Sequence, residues 1–389
     1  MARAFWVRIH RWAGLTTALF LAVAGLTGMA LAWEDQLEAW TAPELLLAPT
    51  PGPTRDPLAL REAALARHPG MVADFVPLTI PAGQALRLRV SWAAGRAAPD
   101  WDELFIDPVS GRELGHRHWG DIGEGRVNLL PFIYRLHYTL LMGATGTLIM
   151  GLIALLWVVD CGVGLWLTLP PRAGAGWLMR WRPSWVVRWR AAPFRLTFDL
   201  HRAGGLWLWL ALLVFALSSV SLNLPQVYGP AQRWLGGSDM QALYQRVPNT
   251  TAAPVLDIRA ARARGMALAG AAQRRGPAWL WHVPASGLYV YGFTTGADIG
   301  DDGAGGRIGF DDRSGARVWQ RLPGDAPAAD RFTNWIVALH MADVFGWPWR
   351  VCVTLLGGVV AMLSVTGVLI WARKRRARVA GRRRITRAI

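Results

Sequence analysis

Four of the eight histidines, His10, His137, His201 and His340, stand at or just before the start of long apolar runs. A neutral imidazole is a strong ligand for iron. Two imidazoles on facing helices can hold a flat iron macrocycle between them. Iron ligated on both axial faces has no open position and suits electron transfer. Such chemistry requires the four side chains to meet in twos, so the level of each one in the fold decides the matter.

The apolar runs set those levels. Ala13–Trp33 carries no charge, Tyr138–Leu169 carries only Asp160, and Ala203–Leu222 and Val351–Ala372 carry none. Each reaches the roughly 20 residues that cross a bilayer core. This excludes a soluble single-domain enzyme. The absence of short alternating segments excludes a transmembrane β-barrel. The net charge of +16 is unevenly spread. Arg3, Arg8 and Arg11 precede the first run, residues 170–202 hold seven arginines and one acid, and eight arginines with Lys374 follow Ala372. The segments 34–137 and 223–350 hold 24 of the 26 acids. Basic residues mark cytoplasmic segments. The expectation is therefore a multi-pass membrane protein with both termini cytoplasmic and two large loops that face the periplasm, or the exterior in a cell without an outer membrane. The charge reports topology and contact with membrane lipid, not nucleic acid. The first run exceeds a typical signal-peptide core and is read as a retained span. Cys161 and Cys352 fall at opposite faces and cannot pair. No C-x-x-C-H motif offers covalent haem attachment.

Two halves of the chain resemble each other. His10-Arg11-Trp12-Ala13-Gly14-Leu15 matches His201-Arg202-Ala203-Gly204-Gly205-Leu206 in His, Arg, Gly and Leu. Leu136-His137 with Gly143 and Gly164 matches Leu339-His340 with Gly346 and Gly367. Phe105–Gly111 parallels Gly309–Gly315. The unit is span, extracytoplasmic domain, span, used twice in the same orientation. The expected fold is a four-helix transmembrane bundle built as a tandem repeat, with two extracytoplasmic α+β domains. Its expected segments are 1–34 (cytoplasmic start and first span), 35–131 (first domain), 132–170 (second span), 171–200 (cytoplasmic Trp/Arg-rich loop), 201–223 (third span), 224–335 (second domain), 336–373 (fourth span) and 374–389 (basic tail). In the first domain Pro57–Arg67 reads as a helix stopped by His68-Pro69-Gly70. Val72–Ile80, Ala85–Trp92 and Glu103–Asp107 read as strands. In the second, Val255–Ala269 reads as a helix. Ala278–Val283, Gly287–Phe293 and Arg307–Phe310 read as strands, with Asp301–Gly306 as a hairpin connection.

This topology places His10 and His201 at the cytoplasmic face and His137 and His340 at the extracytoplasmic face. Gly14 and Gly205, four residues after the first pair, and Gly143 and Gly346, six after the second, would let a macrocycle approach the helices. Glycine serves close helix packing equally well. Asp160 lies 23 residues after His137, roughly 34 Å along a helix, and so near the cytoplasmic face. It either hydrogen-bonds a ligating histidine or pairs with a loop arginine. His116 and His118 would share one face of a strand, a weak metal candidate without a third ligand. A solvated polar turn is the plainer reading of that segment, although Arg112 nearby would suit an anionic chelate. His68 reads as a helix C-terminal partner and His282 as packing. Trp177, Trp181, Trp185 and Trp189, interleaved with arginines and broken by Pro183, read as an interfacial segment.

His10–Leu15, Gly25-Leu26-Thr27-Gly28, the His-x5-Gly starts of the second and fourth runs, and Thr366-Gly367 together resemble the PepSY-associated transmembrane family. The loops resemble PepSY domains. The resemblance covers nearly the whole chain and rests on the order of the motifs. It implies an inner-membrane ferric-siderophore reductase carrying two haem b, ligated by His10, His201, His137 and His340. Electrons would cross the membrane and reduce a ferric siderophore or other ferric chelate in the periplasm. The electron donor, a quinol or a cytoplasmic reductase, is left open. Ser218-Ser219 departs from the Thr-Gly of the first and last runs, which bears on local packing. Trp92, Trp101, Trp119 and Trp335 are candidate docking-cleft residues. Two other classes stay open: a non-enzymatic regulator or chaperone that binds a periplasmic protein, and an iron or siderophore permease.

Overall fold

The computed structural model describes residues 2–95, 99–171, 174–244, 255–300 and 305–386. In chain order, α1 (Ala2–Leu31) leads through α2 (Glu34–Thr41) and α3 (Pro43–Leu46) to α4 (Pro57–Arg67). There follow β1 (Met71–Val72), β2 (Phe75–Pro77), β3 (Leu86–Arg89), β4 (Ser91–Trp92), β5 (Glu103–Ile106) and β6 (Glu113–Arg117). Helices α5 (Leu129–Thr139), α6 (Gly143–Thr168), α7 (Trp177–Trp181), α8 (Pro193–Trp207), α9 (Trp209–Asn223), α10 (Pro225–Trp234), α11 (Met240–Tyr244) and α12 (Ile258–Ala269) come next. The chain ends with β7 (Gly276–Val283), β8 (Leu288–Thr294), β9 (Gly306–Asp311), β10 (Arg317–Arg321), α13 (Ala328–His340) and α14 (Gly346–Thr386).

Helices α1, α6 and α14 are long and apolar enough to cross a membrane, and α8 with α9 makes a fourth span if the bent pair counts as one. The third span, expected over 201–223, falls on two helices, α8 and α9. The chain bends by 70° at Leu208, between α8 and α9. The second apolar run is also broken, and so is the expected fourth-span segment 336–373, ahead of its apolar run. Leu140 and Leu141 take left-handed φ of 52° and 61°, and Ala342 and Phe345 take 56° and 58°. Such φ in side-chain-bearing residues ends a helix. His137 and His340 therefore sit on the short helices α5 and α13, not on the spans that follow. Gly146 lets the start of α6 tuck under the Thr139 carbonyl, which a side chain would block. Helix α1 crosses α14 at Gly25 and Gly357, where each missing side chain is replaced by the other's backbone.

Outside the spans the structure is α+β. Asp56 caps α4 by accepting from the Leu58 amide, and Asp257 caps α12 by accepting from Arg259 and Ala260. Asp107 and Asp311 each fold the residues after them into the same tight turn, accepting from the amides two and three positions on. The two expected domains are not separate. Strand β2, from the first loop, completes the sheet of the second in the order β10-β9-β8-β7-β2, all antiparallel. Strands β3-β5-β6 form their own sheet. One hydrophobic core takes Leu58, Val76, Leu88 and Ile106 from the first loop and Ile258, Leu280, Tyr291 and Phe310 from the second. Residues 301–304 of the expected hairpin connection lie outside the described residues.

Candidate functional site

His10 on α1 faces His201 on α8 with ring centroids 6.1 Å apart. His137 on α5 faces His340 at the end of α13 at 6.3 Å. Thr27 on α1 touches the second pair, and His10 belongs to the first. Those two residues are separated by roughly 26 Å of helix. One pair therefore lies at the end of the spans nearest the sheets and the other at the far end.

Each ring has an oxygen partner at Nδ1. Thr27 Oγ1 donates to the Val23 carbonyl at 2.7 Å and lies 2.9 Å from His137 Nδ1. Ser218 Oγ donates to the Phe215 carbonyl at 3.0 Å and lies 2.7 Å from His340 Nδ1. Thr366 Oγ1 donates to the Met362 carbonyl at 2.7 Å and lies 3.1 Å from His201 Nδ1, which also meets the Leu363 carbonyl at 3.1 Å. A hydroxyl whose proton is spent on a carbonyl can only accept from the imidazole. Asp160 Oδ1 lies 2.8 Å from His10 Nδ1 and accepts likewise. This arrangement suits the tautomer with the proton on Nδ1 and the lone pair on Nε2 in all four rings.

Glycines make room for the rings. A side chain at Gly28 would meet His137 Cε1 at 3.2 Å, at Gly164 His10 Cε1 at 3.5 Å, and at Gly367 His201 Cε1 at 3.3 Å. Phe215 stacks on His340 with centroids 4.7 Å apart. Each pair opens into a cavity. The sheet-proximal one, about 900 Å³, is lined by both histidines, by apolar residues of α1, α6, α9 and α14, and by Glu34, Arg87, Arg89, Asp102, Glu103, Trp119 and Tyr134. The sheet-distal one, about 790 Å³, is lined by His10, His201, Asp160, Gly14 and Gly205, with Arg3, Arg11, Arg202, Lys374 and Arg378. Leu21, Trp157 and Val360 line both.

The residues fit haem. A metal–imidazole bond is roughly 2 Å and the ring centre lies about 1 Å behind its nitrogen, so two imidazoles on one iron have centroids roughly 6 Å apart. Each pair offers only two nitrogens. Among the described residues no group of three or more His, Cys, Asp or Glu converges as for a bare ion. That donor set suits an iron that brings its own equatorial ligands. Arg11 Nε and Arg202 Nε are buried without hydrogen-bond partners in the sheet-distal lining, ready for the carboxylates of such a macrocycle.

Other expected residues fall elsewhere. Gly143 and Gly346 are corrected: they take left-handed φ of 56° and 59° at the starts of α6 and α14 and line neither cavity. Their role is the turn, not close approach. His116 packs on Trp101 at 4.9 Å, while His118 lies beyond β6 and meets Asp100 at 3.1 Å, so the two rings serve different neighbours. Between them Arg117 is fully buried and bonds Glu38 and Glu103. His68 bonds Glu113 at 3.0 Å. His282 is more than packing, since it stacks on Tyr289 and bonds Asp312 at 3.1 Å. Trp92 and Trp101 pack against each other beside the shared core. Trp335 stacks on Phe345, and only Trp119 of the four cleft candidates lines the cavity. Trp177, Trp181 and Trp185 pack in succession, with centroids 5.2 and 5.1 Å apart. Three residues that hold the rings, Thr27, Ser218 and Thr366, were visible only as hydroxyls at matching points of three apolar runs.

Comparison with known families and proteins agrees with this architecture. The model of the PepSY-associated TM region matches residues 7–374. No curated protein matches the chain at a significant level. With nearly its whole length matched and three or four spans carrying α+β sheets, this multi-pass membrane protein belongs to the PepSY-associated TM region family.

Proposed function

We propose that the chain is a dihaem electron carrier of the bacterial inner membrane that reduces a ferric siderophore or other ferric chelate in the periplasm. The observation that carries this reading is four imidazoles in two close ring pairs, at two levels of one set of helices, each held through Nδ1 so that Nε2 is left for a ligand. A regulator that only binds a protein partner gives no reason for that orientation. In this reading α1, α6, the α8–α9 pair and α14 form a four-helix bundle made of a duplicated unit, with both termini cytoplasmic.

His10 and His201 would hold the cytoplasmic haem b, and His137 and His340 the periplasmic one. Haem b, when bound, supplies a one-electron Fe(III)/Fe(II) couple. Thr27, Ser218, Thr366 and Asp160 fix the ring orientations. The apolar residues of the bundle exclude water, and Leu21, Trp157 and Val360 partition the two cavities. The periplasmic cavity reaches the sheets past Arg87, Arg89, Asp102, Trp119 and Tyr134, where a chelate would dock. One electron per Fe(III) is needed, drawn from a quinol or a cytoplasmic reductase. Fe(II) is held less tightly by the chelate and leaves.

The test uses protein reduced with dithionite and freed of excess reductant. Added ferric chelate is expected to reoxidise it, with one Fe(II) trapped by a chromogenic chelator per electron lost. A reduced spectrum that persists in the presence of ferric chelates contradicts the substrate assignment.

A further inference from the structure

We propose that Asp160 sets the direction of electron flow by lowering the reduction potential of the His10/His201 centre below that of the His137/His340 centre. This rests on the dihaem reading above.

The four rings are held by unequal partners. Thr27, Ser218 and Thr366 offer neutral hydroxyl oxygens, and Leu363 offers a neutral carbonyl. Asp160 alone offers a carboxylate, at 2.8 Å from His10 Nδ1, and its side chain is 12% exposed. A hydrogen bond to an ionised acceptor is roughly twice as strong as a neutral one. It draws the Nδ1 proton away and makes Nε2 a stronger electron donor. A stronger donor favours the ferric over the ferrous ion, and so does a negative charge held near the iron in an apolar cavity.

The opposing charges lie in the same lining. Arg3, Arg11, Arg202, Lys374 and Arg378 favour the ferrous ion. Arg3, however, is tied to the carbonyls of Leu167 and Leu169, and Arg202 to the Pro183 carbonyl and Asp199. Asp160 touches the ligand ring itself. Coulomb energy falls with distance, and the ligand's own hydrogen bond is felt directly by the metal, so the carboxylate outweighs the cations. At the other level both Nδ1 partners are hydroxyls and Phe215 stacks on His340, while the carboxylates of that lining bond elsewhere, Glu103 to Arg87 and Arg117 and Asp102 to the Trp119 amide, with Glu34 beside them making no hydrogen bond to either ring. With haem bound at both levels, an electron would run downhill from the His10/His201 centre to the His137/His340 centre, the first iron being oxidised and the second reduced with no bond formed or broken. Asp160 is a positioning residue that acts through His10.

Redox titration of the purified haem-loaded protein, followed optically, tests this. Wild type is expected to show two one-electron components. Asp160→Asn keeps an oxygen acceptor and loses the charge. It is expected to shift the reduction equilibrium of the lower component at least tenfold, about 59 mV for one electron. The upper component stays in place and haem content is unchanged. Asp160→Glu is expected to restore the low value. A lower component unmoved in Asp160→Asn, or an upper one moved instead, overturns the proposal. If Asp160→Asn loses the cytoplasmic haem, single-haem proteins decide. His340→Ala keeps the His10/His201 centre and His201→Ala keeps the other. A potential in the first at or above that in the second overturns the proposal, and a lower one supports it. Wild type without haem overturns the dihaem reading itself, which is a different failure from two haems in the wrong order.

Discussion

Ser218 Oγ stands 2.7 Å from His340 Nδ1 and gives its own proton to the Phe215 carbonyl. Its Ser-Ser segment takes the place of Thr27-Gly28 on α1 and Thr366-Gly367 on α14. At the first position the change from Thr to Ser removes a methyl and keeps the hydroxyl, which is the part that touches the ring; at the second, Ser219 adds a hydroxyl that bonds the Phe215 carbonyl.

Ser218→Ala is therefore expected to free the Nδ1 proton and loosen the His340 ring. Haem affinity at the sheet-proximal level is expected to fall about 10- to 100-fold, with the sheet-distal level unchanged. Ser218→Thr is expected to behave as wild type. Haem retained per chain after competition with apomyoglobin measures this.

Gly367→Val places a branched side chain where even a Cβ would lie 3.3 Å from His201 Cε1. The ring must turn away. The variant is expected to insert in the membrane at normal levels and to lose the sheet-distal haem alone, seen as half the absorbance of the reduced α band. Retention of both haems would show that α14 shifts to make room.

Arg117 is fully buried, bonding Glu103, Glu38 and the Val127 carbonyl. Arg117→Met leaves two carboxylates buried without their cation. Breaking such a network costs about 3–5 kcal/mol. A large fall in the thermal midpoint is expected by tryptophan fluorescence. Glu38 on α2 belongs to this network, so residues 34–47, which hold α2 and α3, are expected to become more accessible to protease.

Glu34 lines the sheet-proximal cavity just past the end of α1. Burial first, then the charges of Glu38 and Asp35, raise its pKa from 4.5 to about 7, against the pull of Arg87 and Arg89. The folded state thus holds this proton more tightly than the unfolded one. The resulting stability is fully present below about pH 4.5 and is lost as pH rises to about 7. Glu34→Gln is expected to flatten the thermal midpoint between pH 5 and pH 7 and to exceed wild type at about pH 8. Parallel pH profiles of the two proteins would contradict this.

Helix α4 was legible in full because Pro57 opens it and His68-Pro69-Gly70 closes it, and the structure adds the Asp56 cap. The histidine levels were legible because charge and hydropathy set topology without any tertiary information. The helix breaks at Leu140-Leu141 and Leu208 were hidden, since leucines give no local signal for a left-handed turn or a bend. Strand β2 was readable as a strand but not as part of the second sheet. Phe75-Val76-Pro77 has nothing that names a partner some 200 residues away. Strands β6 and β10 were missed because Glu113–Arg117 and Arg317–Arg321 are rich in charge. Asp160 was placed at the right depth by helix rise, and its choice of His10 over an arginine needed the structure.

The most direct test is haem content by pyridine haemochrome, with reduced-minus-oxidised spectra, on wild type, His201→Ala and His340→Ala. Two haems b per chain in wild type and one in each variant, with different α-band positions for the haem that remains, is the expected result. Wild type that carries no haem after haem-replete expression, or variants that lose the same haem, would contradict the paired-ligand account.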